Sequence, residues 1–349
     1  MLIASHTFMK KLLYFLLPLF LVAGILFCSF FMVDNKKESV RIGFYNVENL
    51  FDTVDRKGAN DNEFLPGHSK EWGTLRYERK LNQIARVILA MGDWRGIDMI
   101  GVCEVENKEV LSDLVNKTYL SAFNYDFVHK DSPDLRGIDV AFIYKKDVFS
   151  VLEYKTIQVD LHKIVDVTTR DILYVKGTIH QKDTLHIFCN HWSSRYGGAV
   201  QSELKRKIAS QTLKKATDSL LQLTPQAKVI IMGDFNDTPE NVSVSSFTKS
   251  YNENESFVNI SNHFNASNGG THKYQAHWHV FDQILVSEKL LINSGYYLKS
   301  DSATLFTPSW LKMEDEIYGG YKPYRTFSGP NYIGGYSDHF PIYMELIID

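Results

Sequence analysis

The chain has 349 residues, 44% of them hydrophobic and 23% charged, with 38 Lys and Arg set against 41 Asp and Glu for a formal net charge of −3. This is ordinary globular composition with apolar mass for a sizeable core, which excludes a disordered or low-complexity polymer. The slight negative balance excludes a protein that coats nucleic acid through bulk charge, and three cysteines are too few for a disulfide framework.

Lys10 and Lys11 precede an apolar run from Leu12 to Val33, broken only by Pro18, Gly24 and Ser29. Two positive charges followed by such a run read as a secretory signal or an N-terminal membrane anchor. Residues 1–35 are therefore set apart, and export is expected: periplasmic, membrane-anchored or secreted. No small-x-small cleavage site stands at the end of the run, so removal and retention both stay open. Lipid attachment at Cys28 fits poorly after Phe27.

Residues 36–349 read as one domain. VRIGFYNV (40–47) and DMIGVC (98–103) are predicted as buried strands. Between them Leu81, Ile84, Ala85, Ile88 and Leu89 recur at helical spacing. A second helix is predicted near 108–120, and strands at 125–129, 138–144, 172–179 and 184–190. Residues 200–223 form an amphipathic pattern with Leu204, Ile208, Leu213 and Leu220 on one side. Another buried strand follows at 228–232, and strands near 279–286 and 341–348 end the chain. Segments 52–75 and 318–336 read as long surface loops. Cys103 and Cys189 lie in strand-like runs and are expected as buried thiols. Strands with intervening helices, then strands in succession, indicate an α/β (α+β) arrangement of mixed sheets covered by helices.

Polar residues stand at the ends of several of these strands. They are Asn46 and Glu48 in FYNVEN, Glu104 in GVCEVEN, His191 in FCNHWSSR, Asp234 and Asn236 in GDFND, Asp282 in HVFDQILV, and Asp338 and His339 in YSDHFPI. Carboxylates at the edge of a core are costly unless paired, hydrogen-bonded or bound to metal. Phosphodiester cleavage needs these groups: oxygen donors for a hard cation, an oriented water and a proton donor for the leaving oxygen. Glu104 is the natural metal anchor. Asp282 can orient His339 for acid–base work, and Asn46 and Asn236 can position phosphate oxygens or water without adding charge.

FYNVEN, CEVEN, GDFND, the Asp of VFDQILVS and SDHFPI together resemble the DNase I-like endonuclease/exonuclease/phosphatase superfamily, in its motif order, over about residues 40–349. The resemblance implies a four-layer sandwich of two central mixed sheets flanked by helices, with the site at their rim. It implies Glu104 as metal ligand with Asp338 and Glu48 near the same ion, which would be Mg²⁺, with Mn²⁺ or Ca²⁺ as alternatives. His339, supported by Asp282, would be the acid–base histidine, and Asp234 and Asn236 would orient the water or a second metal. His191 resembles the second histidine of the DNase I branch, paired with Asp131, or with Asp126 or Asp134. Arg170 resembles an arginine that contacts substrate phosphate there, a role its fork suits.

Each residue also has a plainer reading. Asn46 can cap a turn, Asp234 and Asn236 can form an Asx turn, and Arg170 can sit in a salt bridge. His272, His277 and His279 alternate around Trp278 and are expected to line the site or the surface rather than bind zinc. The aromatic residues of 310–336 are expected to pack within their loops. The resulting expectation is a monomeric, exported, metal-dependent phosphodiester hydrolase acting on nucleic acid. A phospholipid or sphingolipid headgroup is the alternative substrate, with the N-terminal segment as a membrane tether. A non-catalytic binding protein on the same scaffold is the third reading.

Overall fold

VRIGFYNV and its neighbours form strand β1 (Glu38–Leu50), which opens a succession of strands and helices in a computed structural model that describes residues 38–162, 167–248, 257–264 and 269–348. The leader expected at 1–35 lies outside the described residues. After β1 come α1 (Thr74–Met91), β2 (Met99–Val105), α2 (Lys108–Asn116), β3 (Tyr125–His129), β4 (Asp139–Lys145) and β5 (Phe149–Ile157). Next are β6 (Ile172–Ile179), β7 (Thr184–His191), α3 (Ala199–Leu223), β8 (Lys228–Asp234), α4 (Val242–Thr248) and β9 (Phe257–Asn259). A hairpin of β10 (His272–Tyr274) and β11 (His277–His279) precedes β12 (Asp282–Ser287). Short strands β13 (Tyr296–Leu298) to β18 (Asn331–Tyr332) follow, and β19 (Ile342–Ile348) ends the described chain.

One sheet has the order β13-β19-β1-β2-β4-β3, with β1 and β2 parallel. The other has the order β5-β6-β7-β8-β12-β9, with β7 and β8 parallel and the remaining pairs antiparallel. Successive side chains along a strand face opposite ways. Thus Phe44 enters the layer between the sheets, and Tyr45 the layer under α1 and α2. The inner layer joins Ile42, Phe44 and Phe142 of one sheet to Ile187, Cys189, Met232 and Ile284 of the other. Ile84 and Ile88 of α1 and Val110 and Leu114 of α2 cover the first sheet. Ala209 and Leu213 of α3 and Val244 and Phe247 of α4 cover the second. This is the expected four-layer sandwich, each large side chain buried in it contributing about 1.5–3 kcal/mol of transfer free energy.

Local departures have local causes. The helix predicted to reach residue 120 stops at Asn116, because the Thr118 side chain caps a short 3₁₀ turn, Tyr119–Phe123, by accepting from Leu120 N at 3.2 Å. The strand predicted over 279–286 breaks at Val280–Phe281, where Phe281 N and Asp282 N both donate to Thr271 Oγ1 at 3.0 and 3.1 Å. The predicted loop at 318–336 carries β16 (Tyr321–Pro323), β17 (Phe327–Ser328) and β18. Cys103 and Cys189 are buried free thiols, as expected.

Candidate active site

Three neighbouring strands of the second sheet bring His191, Asp234 and Asp282 into one row. His191 on β7 pairs with Asp234 on β8, and Asp234 pairs in turn with Asp282 on β12. The first sheet meets this row with Asn46, whose Nδ2 donates to Asp234 Oδ2 at 3.0 Å and lies 3.4 Å from Glu104 Oε1. His339, just ahead of β19, joins it through Nδ1, which donates to Asp282 Oδ2 at 2.6 Å. His339 Nε2 and His191 Nε2 each stand 3.8 Å from Asp234 Oδ2, and His191 Nε2 is also 3.8 Å from Glu104 Oε1. Six of the sequence-predicted residues, Asn46, Glu104, His191, Asp234, Asp282 and His339, thus share one constellation.

The backbone is strained where it delivers them. The β1–β2 register shifts between Asn46 and Leu50, and the β2–β4 register between Cys103 and Val105. Inside these irregularities Glu48, Asn49 and Glu104 take positive φ of 51°, 53° and 63°, and Asn236 takes 50° in its turn. Left-handed backbone costs a non-glycine residue about 1–2 kcal/mol. Bulges of this kind redirect side chains at functional sites. The bulge at Glu104 is held from outside, since Asn49 N donates to Glu104 Oε2 at 3.0 Å.

Burial and charge sort the titratable groups. Burial raises the Asp234 carboxyl to about 7; His339 opposes the rise and Asp282 adds to it. Burial alone would lower His339, but the charges of Asp282 and Asp234 overcome it and hold the imidazole well above its ordinary value. Burial, then Arg170, keep His191 well below its ordinary value and therefore neutral. The site so pairs a carboxylate that can take a proton near neutrality with an imidazolium and a neutral imidazole.

Glu48 and Asp338 belong to an adjoining cluster. Glu48 is 3% exposed, and its oxygens accept from Thr326 N at 2.6 Å and Phe327 N at 3.4 Å. Arg325 reaches between the two carboxylates, with Nη2 3.0 Å from Asp338 Oδ2 and Nε 3.6 Å from Glu48 Oε1. Lys80, buried on α1, donates to Thr326 Oγ1 at 2.5 Å and to Tyr336 O at 2.6 Å. Burial lowers Lys80 to about 8 against the pull of Glu48 and Asp338. Glu48, expected as a metal ligand, thus serves first as an acceptor that anchors the 325–327 loop.

Other expectations need correcting. Arg170 does not present its fork to a substrate phosphate. Its Nε and Nη2 donate to the carbonyls of His191 and Trp192 at 3.2 and 2.6 Å, and Nη1 pairs with Asp134 at 2.9 Å. It is a brace behind His191. Asp131 pairs with Arg56 rather than with His191, and His191 Nδ1 has no hydrogen-bond partner among the described residues. Asn236 forms the plain Asx turn, its N–H donating to Asp234 Oδ1 at 2.9 Å, and its amide turns back to Trp192 O at 3.1 Å. His272 lines the site, its ring centroid 4.7 Å from that of His339.

Sequence reasoning missed Lys80, Arg325 and Arg136. Lys80 carried a readable signal, a charge one position from Leu81 on the face continued by Ile84 and Ile88. Arg325 and Arg136 sit in loops without periodicity. Arg136 donates to Asn49 Oδ1 at 2.6 Å and comes within 3.8 Å of Glu104 Oε2.

The donor set fits a hard divalent cation. Glu104 and Asp338 are the more open carboxylates, with side chains 14% and 22% exposed. Among the described residues Glu104 Oε1 has only the two long contacts already given, and Asp282 Oδ1 is buried without a hydrogen-bond partner. Ligand atoms of Asp234, Asp282 and His339, and of His272, Asp338 and His339, fall within 4.8 Å of one another in two overlapping groups. Carboxylate oxygens outnumber imidazole nitrogens in the first group, as hard cations require, though not in the second.

Comparison with known proteins agrees with the fold. Among solved structures, the chain is similar to the human Nocturnin catalytic domain with bound sulfate, at TM-score 0.56 and 15% identity over 89% of this chain and 95% of that one. It is similar to an endonuclease/exonuclease/phosphatase family protein from Bacteroides thetaiotaomicron, at 0.53 and 16% over 90% and 99%. It is also similar to a mannosyl-6-phosphatase of Bacteroides thetaiotaomicron, at 0.53 and 16% over 88% and 100%. At such identities these likenesses speak for the fold alone. No curated protein matches the sequence. A family model described as "Endonuclease/Exonuclease/phosphatase family" does match, over residues 41–347, which spans both sheets and every group of the constellation. The chain belongs to the endonuclease/exonuclease/phosphatase family.

Proposed function

We propose that the protein is a divalent-metal-dependent phosphodiester hydrolase whose first substrate class is nucleic acid. The observation that carries the reading is the row of His191, Asp234 and Asp282 closed by the 2.6 Å bond from His339 to Asp282. Asp234, steadied by Asn46, accepts the proton of the attacking water. His339, kept charged by Asp282, offers Nε2–H to the leaving oxygen and places positive charge beside the phosphate. Neutral His191 donates to a phosphate oxygen. Glu104 and Asp338 would hold the cation, which when bound neutralises charge on the phosphate.

Nucleic acid is favoured by exposed groups near these strands. Arg136 stands beside Glu104, and Tyr196, on the segment that leaves β7, and Tyr274, the last residue of β10, are 96% and 63% exposed. A cation and open aromatic faces suit a phosphate backbone and its bases. Trp310 gives the lipid alternative no support, since it packs against Tyr336 at 5.1 Å and under Arg86 at 4.5 Å. A phosphomonoester reading draws only on the mannosyl-6-phosphatase likeness. Export remains part of the proposal, on the strength of Lys10, Lys11 and the apolar run behind them.

The test offers plasmid DNA, RNA, sphingomyelin liposomes and a sugar 6-phosphate to the parent protein and to Glu104→Ala and His339→Ala, with Mg²⁺, Mn²⁺ or EDTA. Nicking by the parent alone, abolished by EDTA and reduced at least ~10³-fold in both variants, is expected. Undiminished hydrolysis in His339→Ala would sink the mechanism. Hydrolysis of lipid or monoester alone would keep the chemistry and replace the substrate.

A further inference from the structure

We propose that Arg325 and the divalent cation are alternative partners of Asp338, so that the guanidinium neutralises this carboxylate until the metal enters and displaces it. The inference rests on the metal-dependent reading above. Arg325 makes one good contact to Asp338, Nη2 to Oδ2 at 3.0 Å. Its fit to Glu48 is poor: Nε stands 3.6 Å from Glu48 Oε1, an ion pair too long for a hydrogen bond, and has no hydrogen-bond partner among the described residues. A guanidinium built for permanent residence between two carboxylates would make paired bonds to them.

The surroundings of this side chain are tied down by other groups. Glu48 is tied to the backbone of Thr326 and Phe327, and Lys80 grips both Thr326 Oγ1 and Tyr336 O. The loop ends on either side of the charge cluster are thereby pinned. The Arg325 side chain itself is 36% exposed, and Asp338 is 22% exposed, so solvent reaches the contact that must break. Two cations on one carboxylate repel, so each weakens the hold of the other. Once released, the planar fork is free to meet a phosphate.

The experiment measures Mn²⁺ binding alone, by calorimetry on the full chain, in wild type, Arg325→Met, Arg325→Lys and Glu104→Ala. Removing the competitor should tighten Mn²⁺ binding at least ~10-fold in Arg325→Met and less in Arg325→Lys. Equal or weaker binding in Arg325→Met overturns the proposal. Should that variant fail to fold, the wild type decides. In ¹⁵N-arginine-labelled protein, the Nε–H resonance missing from Arg325→Lys should shift on saturation with Mg²⁺, and an unmoved resonance overturns the proposal. Absence of divalent-ion binding in the wild type would overturn the metal-dependent reading too. Binding lost in Glu104→Ala but indifferent to Arg325 would overturn this inference alone.

Discussion

In the proposed mechanism His339 and Asp234 divide the acid and base work because their surroundings push them apart, and pH should expose that division. Asp234 acts ionised, so activity should rise as pH climbs through about 7. His339 acts protonated, so activity should fall as pH passes its raised value. Asp282 contributes the largest upward push on that value. Asp282→Asn should therefore move the falling limb of the pH–rate profile to lower pH, and the rising limb should move down with it because Asp282 also raises Asp234. An unmoved falling limb would remove Asp282 from its orienting role. Most of these residues were legible in the sequence because a polar group at the end of an apolar strand is conspicuous. Arg170 misled because a sequence shows an arginine but not what its fork meets. Here it meets two carbonyls and Asp134.

At the scale of elements, the row across β7, β8 and β12 depends on close backbone approach at Gly233. A Cβ there would lie 2.4 Å from Asn190 O on the neighbouring strand, a contact with backbone that no side-chain rotation relieves. Gly233→Ala should destabilise the fold by about 1–3 kcal/mol in urea unfolding and lower kcat by separating His191 from Asp234. Unchanged stability would show that β8 can shift without cost. Central strands and long helices were readable from apolar runs and helical periodicity. The edge strand β5 was not, because Leu152, Glu153 and Tyr154 are consecutively exposed and no alternation marks it. The bulges at Glu48 and Glu104 were equally hidden, since positive φ at a glutamate has no compositional signature.

For the molecule as a whole, the inner layer between the sheets governs both stability and alignment. Phe142 lies there with its ring 5.6 Å from that of Phe149. Phe142→Ala should cost about 3–5 kcal/mol and, by letting the sheets settle, should reduce kcat more than it raises KM. A loss of stability with unaltered kinetics would uncouple the layer from the chemistry. The four-layer plan was legible from element order and motifs together, whereas the counter-charge Arg325, in a loop without periodicity, emerged only in three dimensions.

The bond from His339 to Asp282 joins the segment leading into β19 of one sheet to the first residue of β12 in the other. Like the two scales of a vernier, the sheets carry separate graduations, and the chemistry is read only where the marks coincide. A methyl group added or removed in the layer between them, far from any phosphate, slides one scale against the other. Catalytic power in this chain is thus adjustable from the middle of the protein as well as from its rim.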